Sequence, residues 1–87
     1  MAIEERQKEV LSALVRFIRD ELAPEDMRAR VDETTPLLES GILDSLRTAR
    51  LVNFIFAELG VELPLERFEA ETFHDALALA AVVCEVE

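Results

Sequence analysis

The strongest constraint on the fold is a set of apolar residues that recur at helical spacing near the start of the chain. Between these residues stand mostly charged ones, which is the pattern of an amphipathic helix with one face turned to a core. We therefore predict a first helix from about Ile3 to Leu22, which Pro24 ends or follows. The apolar positions are Ile3, Val10, Leu11, Leu14, Val15, Ile18 and Leu22.

A second helix is predicted from Ser45 to Gly60. Ser45 suits the N-cap position, because a serine hydroxyl can accept a hydrogen bond from a free amide of the first turn, and Gly60 suits the C-terminal stop. Its predicted core face comprises Ala49, Val52, Ile55, Phe56 and Leu59. We predict that Leu46, Leu51 and Phe54 lie outside that face, beside Arg47 and Arg50.

A third main helix is predicted to open at Thr72, with Asp75 three residues on as a weaker form of capping box. One apolar face is expected to contain Phe73, Ala76, Leu77, Ala80 and Cys84. Before it, Pro64 stands at a possible helix start, and one helical turn is predicted around Leu65 to Phe68.

The long connection at residues 23–44 is unusual for a chain of 87 residues and suggests a functional or internally packed loop. We expect a short helical turn near Pro36 to Glu39, and apolar anchors at Leu37, Leu38, Ile42 and Leu43. The predicted fold class is an all-α bundle of three main helices plus one short helix, with this loop between the first and second helices. Residues 1–87 are expected to form a single domain.

Charge and cysteine content limit the partners and the setting. A formal net charge of −10 repels phosphate backbones and anionic lipid, so we expect neither nucleic acid nor a membrane surface as a partner. One cysteine, Cys84, allows no internal disulfide, which favours a reducing, cytoplasmic setting. One cysteine and one histidine also exclude zinc sites of the usual kinds, and no metal site is predicted. We expect a monomer.

The segment with the clearest chemistry is Gly41-Ile42-Leu43-Asp44-Ser45-Leu46. It is a glycine-containing loop that ends at a predicted helix N-terminus, where free amides and the helix dipole favour an anionic group. A phosphodiester on Ser45 would be tolerated there, and Asp44 beside it could help to hold a metal ion during phosphoryl transfer.

This segment resembles the attachment motif of acyl and peptidyl carrier proteins. The resemblance extends over most of the chain: Thr35-Pro36-Leu37-Leu38 before the motif, Gly60-Val61-Glu62-Leu63-Pro64 after the second helix, and Thr72-Phe73 near the last helix are similar to the same family. It implies that Ser45, flanked by Asp44 and Leu46, carries 4′-phosphopantetheine, which a separate magnesium-dependent transferase delivers from coenzyme A.

The resemblance further implies a carrier that presents a thioester and catalyses nothing itself. Its expected partners are the phosphopantetheinyl transferase, an acyl- or amino-acid-activating ligase, adenylation enzyme or acyltransferase, and downstream tailoring or condensation enzymes. The residue pair before Asp44-Ser45 is Ile42-Leu43, without the Gly-Gly pair of many modular peptide-synthetase carriers. The chain therefore looks more like a discrete carrier of natural-product (nonribosomal peptide or polyketide) biosynthesis.

The second helix also differs from that of many fatty-acid carriers, which is acidic. Residues 46–60 hold two arginines and one glutamate, which gives a local net charge of +1. We predict a partner-docking surface at Arg47, Arg50, Leu51 and Phe54, next to Leu46. A fatty-acid or D-alanyl carrier stays open as an alternative, and a helical interaction module without a covalent cofactor is the alternative from another class.

Overall fold

The computed structural model describes the backbone of Ala2–Glu87 and the side chains from Glu5 onward. Three α-helices form the main bundle: α1 (Ala2–Phe17), α2 (Ser45–Leu59) and α3 (Ala76–Val86). A π-helical turn at Ile18–Leu22 continues α1, and 3-10 helices lie at Glu25–Arg30 and Leu65–Arg67. The described residues contain no strand, so the predicted all-α class is confirmed. Ile3 of the predicted first helix lies outside the described side chains.

The π-helical turn explains how the first helix keeps its apolar stripe in the core to its last residue. Val10, Leu14, Ile18 and Leu22 are all buried and follow one another at intervals of four. Because four residues exceed one α-helical turn of 3.6, each step rotates the stripe by about 40°. The wider turn, with the Ala23 amide donating to the Ile18 carbonyl at 2.7 Å, opposes this drift. The helix then stops before Pro24, as predicted.

The loop between α1 and α2 is fastened to the start of α3. The Leu37 amide donates to the His74 carbonyl at 2.8 Å, and the Leu77 amide donates to the Glu33 carbonyl at 3.1 Å. Leu37, Ile42 and Leu43 are buried as predicted, whereas Leu38 is 43% exposed. The expected turn near Pro36 is present as hydrogen-bonded turns over residues 37–41, and the 3-10 helix at Glu25–Arg30 is an addition to the prediction.

The starts of α2 and α3 correct two sequence predictions. The N-cap of α2 is Asp44 and that of α3 is Asp75, and each carboxylate accepts a hydrogen bond from the amide three residues on. Ser45 is therefore the first helical residue rather than the cap. Thr72 precedes the last helix and is buried. The stop at Gly60 is confirmed: this residue has φ +72°, and the Val61 amide donates to the Ile55 carbonyl at 3.2 Å.

The core face of α2 is also different from the predicted one. Leu51 and Ile55 are fully buried, whereas Phe56 is 58% exposed and Ala49 is exposed. The buried stripe is therefore turned away from the predicted face, and Leu51 belongs to the core instead of the surface. Val52, Phe54 and Leu59 are partly buried at its edges.

Helix α3 packs most closely against α1 and is apolar over most of its length. Phe73, Ala76 and Ala80 are buried as predicted, but Leu77 is 37% exposed. The sequence pattern missed Leu79, Val82 and Val83, which are buried. Cys84 is half-buried, and burial together with the nearby Glu87 raises the pKa of its thiol, which lowers its reactivity. The predicted turn around Leu65 is confirmed by the second 3-10 helix.

None of the helices described between residues 2 and 87 combines the length and the apolarity that a membrane crossing needs.

Candidate attachment site and docking face

Ser45 stands exposed at the start of α2, on a short segment that is anchored just before it. Ile42 and Leu43 are buried, and Gly41 turns the chain with a left-handed φ of +83°, a conformation that favours glycine. Asp44, Ser45 and Leu46 then emerge as three consecutive exposed residues. The fold thus presents the serine hydroxyl to solvent on a fixed helix end.

Asp44 leaves the Ser45 hydroxyl without a capping role. Its Oδ1 accepts a hydrogen bond from the Arg47 amide at 2.8 Å, which satisfies one of the amides that an α-helix leaves without an intrahelical partner. The amides of Ser45 and Leu46 belong to the same set. They lie at the positive end of the helix dipole, where an anionic group on Ser45 would be stabilised.

Replacing Asp44 with alanine is therefore expected to destabilise the protein by about 1 kcal/mol, the usual effect of a lost N-cap. Ser45→Ala is expected to change the free energy of unfolding by less than about 0.5 kcal/mol, as for an exposed position without such a role. Urea denaturation of both variants measures the difference. Equal losses in the two variants would contradict the assignment of the cap to Asp44.

The charges around Ser45 are partly balanced. Arg47 Nη1 lies 3.4 Å from the Gly41 carbonyl oxygen, 3.5 Å from that of Ile42 and 3.9 Å from Asp44 Oδ2. The Asp44 side chain is nevertheless more than half exposed. Among the residues that the structure describes, no group of three or more His, Cys, Asp or Glu side chains could hold a metal ion.

The four predicted docking residues have different positions. Leu51 has no exposed surface, so it cannot contact a partner, and this part of the prediction is wrong. Phe54 is half-buried, and its ring stacks on that of Phe17 at 4.2 Å between centroids. Arg50 is exposed, but it donates to the Glu21 carbonyl at 3.3 Å and lies 3.8 Å from the Glu21 carboxylate. Arg47 is engaged with the attachment loop as described above.

Sequence reasoning placed Leu46 outside the core, as the structure does, but it missed the other strongly exposed apolar residues of α2 and of the segment after it. Leu46 is 72% exposed, Phe56 58%, Leu65 82% and Phe68 43%. The first two lie on the outer side of α2 and the last two on the segment that follows it. The sequence could have shown that Phe56 lies on the exposed side of α2. It stands eleven residues after Ser45, which is three helical turns, and therefore lies on the same side of the helix.

An apolar cleft of about 470 Å³ lies between α2 and residues 62–68, open to solvent. The α2 wall contains Ala49, Val52, Asn53 and Phe56, and the opposite wall contains Glu62, Leu63 and Phe68. Ser45, Ala49, Val52 and Phe56 are spaced by four, three and four residues, so they share one side of α2. The cleft therefore continues along the helix from the exposed serine.

This geometry agrees with a comparison of the chain with known protein families. Residues 11–83 match the family model described as phosphopantetheine attachment site, which covers most of the 87 residues. The chain belongs to this family of carrier proteins. No curated protein sequence matches the chain significantly.

Membership of this carrier family indicates which cofactor the protein carries. Domains of the family carry 4′-phosphopantetheine as a covalently attached group, and they are generally carriers without catalytic activity. The exposed helix start fits such a group, since a phosphodiester there would meet free amides and no buried charge. When bound, the group supplies the thiol on which an acyl chain is held as a thioester.

Proposed function

We propose that this carrier protein bears its 4′-phosphopantetheine on Ser45 and presents acyl or aminoacyl thioesters to enzymes of natural-product biosynthesis. The observation that carries the proposal is the exposed hydroxyl of Ser45 at the first position of α2, directly after the capping Asp44. Asp44 and Leu46 are proposed as the flanking residues that the transferase contacts. The transferase and a loading ligase, adenylation enzyme or acyltransferase are the partners that the proposal requires.

The other two serines of the chain are less suitable acceptors. Ser40 is half-buried, and its Oγ lies 3.4 Å from both the Leu37 carbonyl oxygen and the Ile42 amide. Ser12 is exposed but lies within α1, where the neighbouring amides are used by the helix itself. Ser45 alone among the three combines an exposed side chain with a helix N-terminus.

The cargo on the arm has a shelter close to its attachment point. The cleft between α2 and residues 62–68 begins one helical turn from Ser45, at Ala49, and its lining is largely apolar. An acyl chain in this cleft would remove apolar surface from water. Helix α3 does not line this cleft, since its apolar residues Leu79, Val82 and Val83 are buried in the core. The wall of the cleft opposite α2 is formed by residues 62–68.

The charge of α2 supports a natural-product carrier over a fatty-acid carrier. The stretch of 13 residues from Ser45 to Ala57 contains no carboxylate and is the longest such stretch in a chain with 19 acidic residues. The exposed side of α2 presents Leu46, Ala49, Arg50, Asn53, Phe56 and Ala57. A partner that docks here meets a largely apolar surface with a single arginine. The carboxylates of Asp44, Glu58 and Glu21 lie only at its border, and Glu21 already pairs with Arg50, so a basic patch would find few carboxylates to pair with.

A malonyltransferase of fatty-acid synthesis, which uses a basic patch for docking, should therefore transfer malonyl groups slowly to the wild-type protein that carries the phosphopantetheine arm. The double variant Asn53→Glu, Ala57→Glu places two carboxylates on the exposed side of α2 and should raise the rate of transfer by about three- to tenfold, through faster association. The initial rate at low ionic strength is the measurement.

The matched control is Ser12→Glu, Ala81→Glu, which adds the same charge at exposed positions of α1 and α3. This control should leave the rate close to that of the wild type. A wild-type protein that already accepts malonyl groups as fast as the acidified variant would count against the natural-product assignment and favour a fatty-acid carrier.

We also propose that the protein is cytoplasmic and monomeric. The single cysteine allows no internal disulfide, and its thiol is half-buried, so neither feature calls for an oxidising compartment or a covalent dimer.

A further inference from the structure

The outer wall of the cleft is a segment with few polar ties to the rest of the protein. Within residues 62–68, the Arg67 amide donates to the Pro64 carbonyl and the Phe68 amide to the Leu65 carbonyl, both at 3.0 Å. These bonds are internal to the segment. Its apolar contacts are made by Leu63, which is buried, and by Phe68, whose ring packs edge-to-face with that of Phe73 at 5.9 Å between centroids.

Arg67 makes the polar tie from this segment to another helix. Its Nη1 and Nη2 donate to the two carboxylate oxygens of Glu85 on α3, at 3.0 and 3.2 Å. The two parallel bonds form a fork, the arrangement that fixes an arginine most firmly against a carboxylate. The side chain of Arg67 is 29% exposed and that of Glu85 is 64% exposed, so the pair lies at the surface with its arginine partly shielded. The hydrogen bonds from Arg67 lower the pKa of Glu85.

We propose that the Arg67–Glu85 pair is a latch that holds residues 62–68 against α3 and thereby sets how often this wall moves away from α2, which widens the cleft and leaves its cargo more exposed. The proposal concerns positioning, because neither side chain lines the cleft. It rests on the proposed function for the identity of the cargo, an acyl group on the arm of Ser45. The position of the latch itself is independent of that function.

The latch should govern the segment because Leu65, at its outer surface, contributes little buried area. Leu65 is 82% exposed and Glu66 is exposed as well, so the 3-10 helix is held by its ends, at Leu63 and at Arg67 with Phe68. Segments with few buried apolar contacts open locally more often than the core does. Removing the fork leaves Leu63 and Phe68 to hold the wall.

The first test is hydrogen exchange at the amides of Arg67 and Phe68 in the protein without its arm. Glu85→Gln keeps the shape of the side chain and removes its charge, and it should speed exchange at these two amides by about two- to fivefold, the range for an exposed but bidentate pair. Glu9→Gln on α1 is the control and should leave them unchanged. The charge-swapped double variant Arg67→Glu, Glu85→Arg should restore most of the protection.

The second test uses a hexanoyl-phosphopantetheine arm, attached from hexanoyl coenzyme A by the transferase. Hydroxylamine attacks the thioester carbonyl, gives a hydroxamate and releases the thiol, and the mass of the protein reports the rate. Cleavage should be about two- to fivefold faster in Glu85→Gln than in the wild type and should return toward the wild-type rate in the charge-swapped variant.

Unchanged exchange at Arg67 and Phe68 in Glu85→Gln would overturn the latch, and so would faster exchange without faster cleavage, because the pair would then hold the segment without controlling the cargo. A wild-type protein that accepts no arm would overturn the proposed function instead. In that case the exchange result would still decide whether the pair holds the segment.

Discussion

Ser45→Ala is expected to abolish attachment of the phosphopantetheine arm completely, because it removes the proposed acceptor oxygen, which would attack the pantetheine-side phosphorus of coenzyme A and displace adenosine 3′,5′-bisphosphate. The folded structure should be retained, since Asp44 and not Ser45 caps α2. The mass of the purified variant, taken after incubation with coenzyme A, magnesium and a broad-specificity transferase, should be unchanged.

Ser40→Ala is the matched control for this experiment. Ser40 lies five residues earlier in the same loop, so its loss tests whether any change near the motif prevents modification. This variant should accept the arm to the same extent as the wild type. An arm on the Ser45→Ala protein, with circular dichroism showing a folded chain, would refute the assignment.

Ile55→Ala should have the second large effect, a loss of about 2–5 kcal/mol from the free energy of unfolding. Ile55 is fully buried, so its truncation leaves a cavity in the core. This core is small because the chain is short. Since domains of this kind are stable by only on the order of 5–15 kcal/mol, a substantial fraction of the stability would be lost. Urea denaturation of the purified protein is the measurement.

Phe56→Ala provides the contrast, because Phe56 is the next residue and carries a larger side chain that is 58% exposed. It should cost about 1 kcal/mol or less, as for a residue that lies mainly at the surface. A greater loss from Phe56→Ala than from Ile55→Ala would contradict the described orientation of α2.

Helix α2 shows where the sequence alone was insufficient. Apolar residues occur on nearly every side of it, so two different stripes both satisfy the helical period. One contains Phe56 and the other contains Leu51, and only the burial of Leu51 and Ile55 in the folded core decides between them. The docking residue Leu51 was misplaced for this reason, while the helix itself and its end at Gly60 were correctly predicted.

A related ambiguity explains the errors in the predicted starts of α2 and α3. Aspartate, serine and threonine are all good N-caps, and the dipeptide Asp44-Ser45 offers two candidates in succession. At the last helix, Thr72 and Asp75 do the same at a distance of three residues. In both cases the carboxylate is the cap in the folded protein. The cap of α2 therefore lies one residue earlier than predicted, and that of α3 lies three residues later.

The candidate attachment site was the part most accessible from sequence, because it depends on adjacent residues. Gly41 to Leu46 form a turn, two buried anchors, a cap and an exposed serine within six positions. The cleft and the Arg67–Glu85 pair depend on contacts between residues far apart in the chain. The pair joins positions 18 residues apart, and no local pattern indicates such a contact.

The account predicts a definite outcome for one measurement above all. The wild-type protein is incubated with coenzyme A, magnesium and the transferase, digested, and fragmented in a mass spectrometer to locate the added group. We expect one phosphopantetheine unit per chain, on the Ser45 oxygen. A unit on Ser12 or Ser40, or a folded protein that gains no mass with either a broad-specificity transferase or that of its own host, would contradict the central claim.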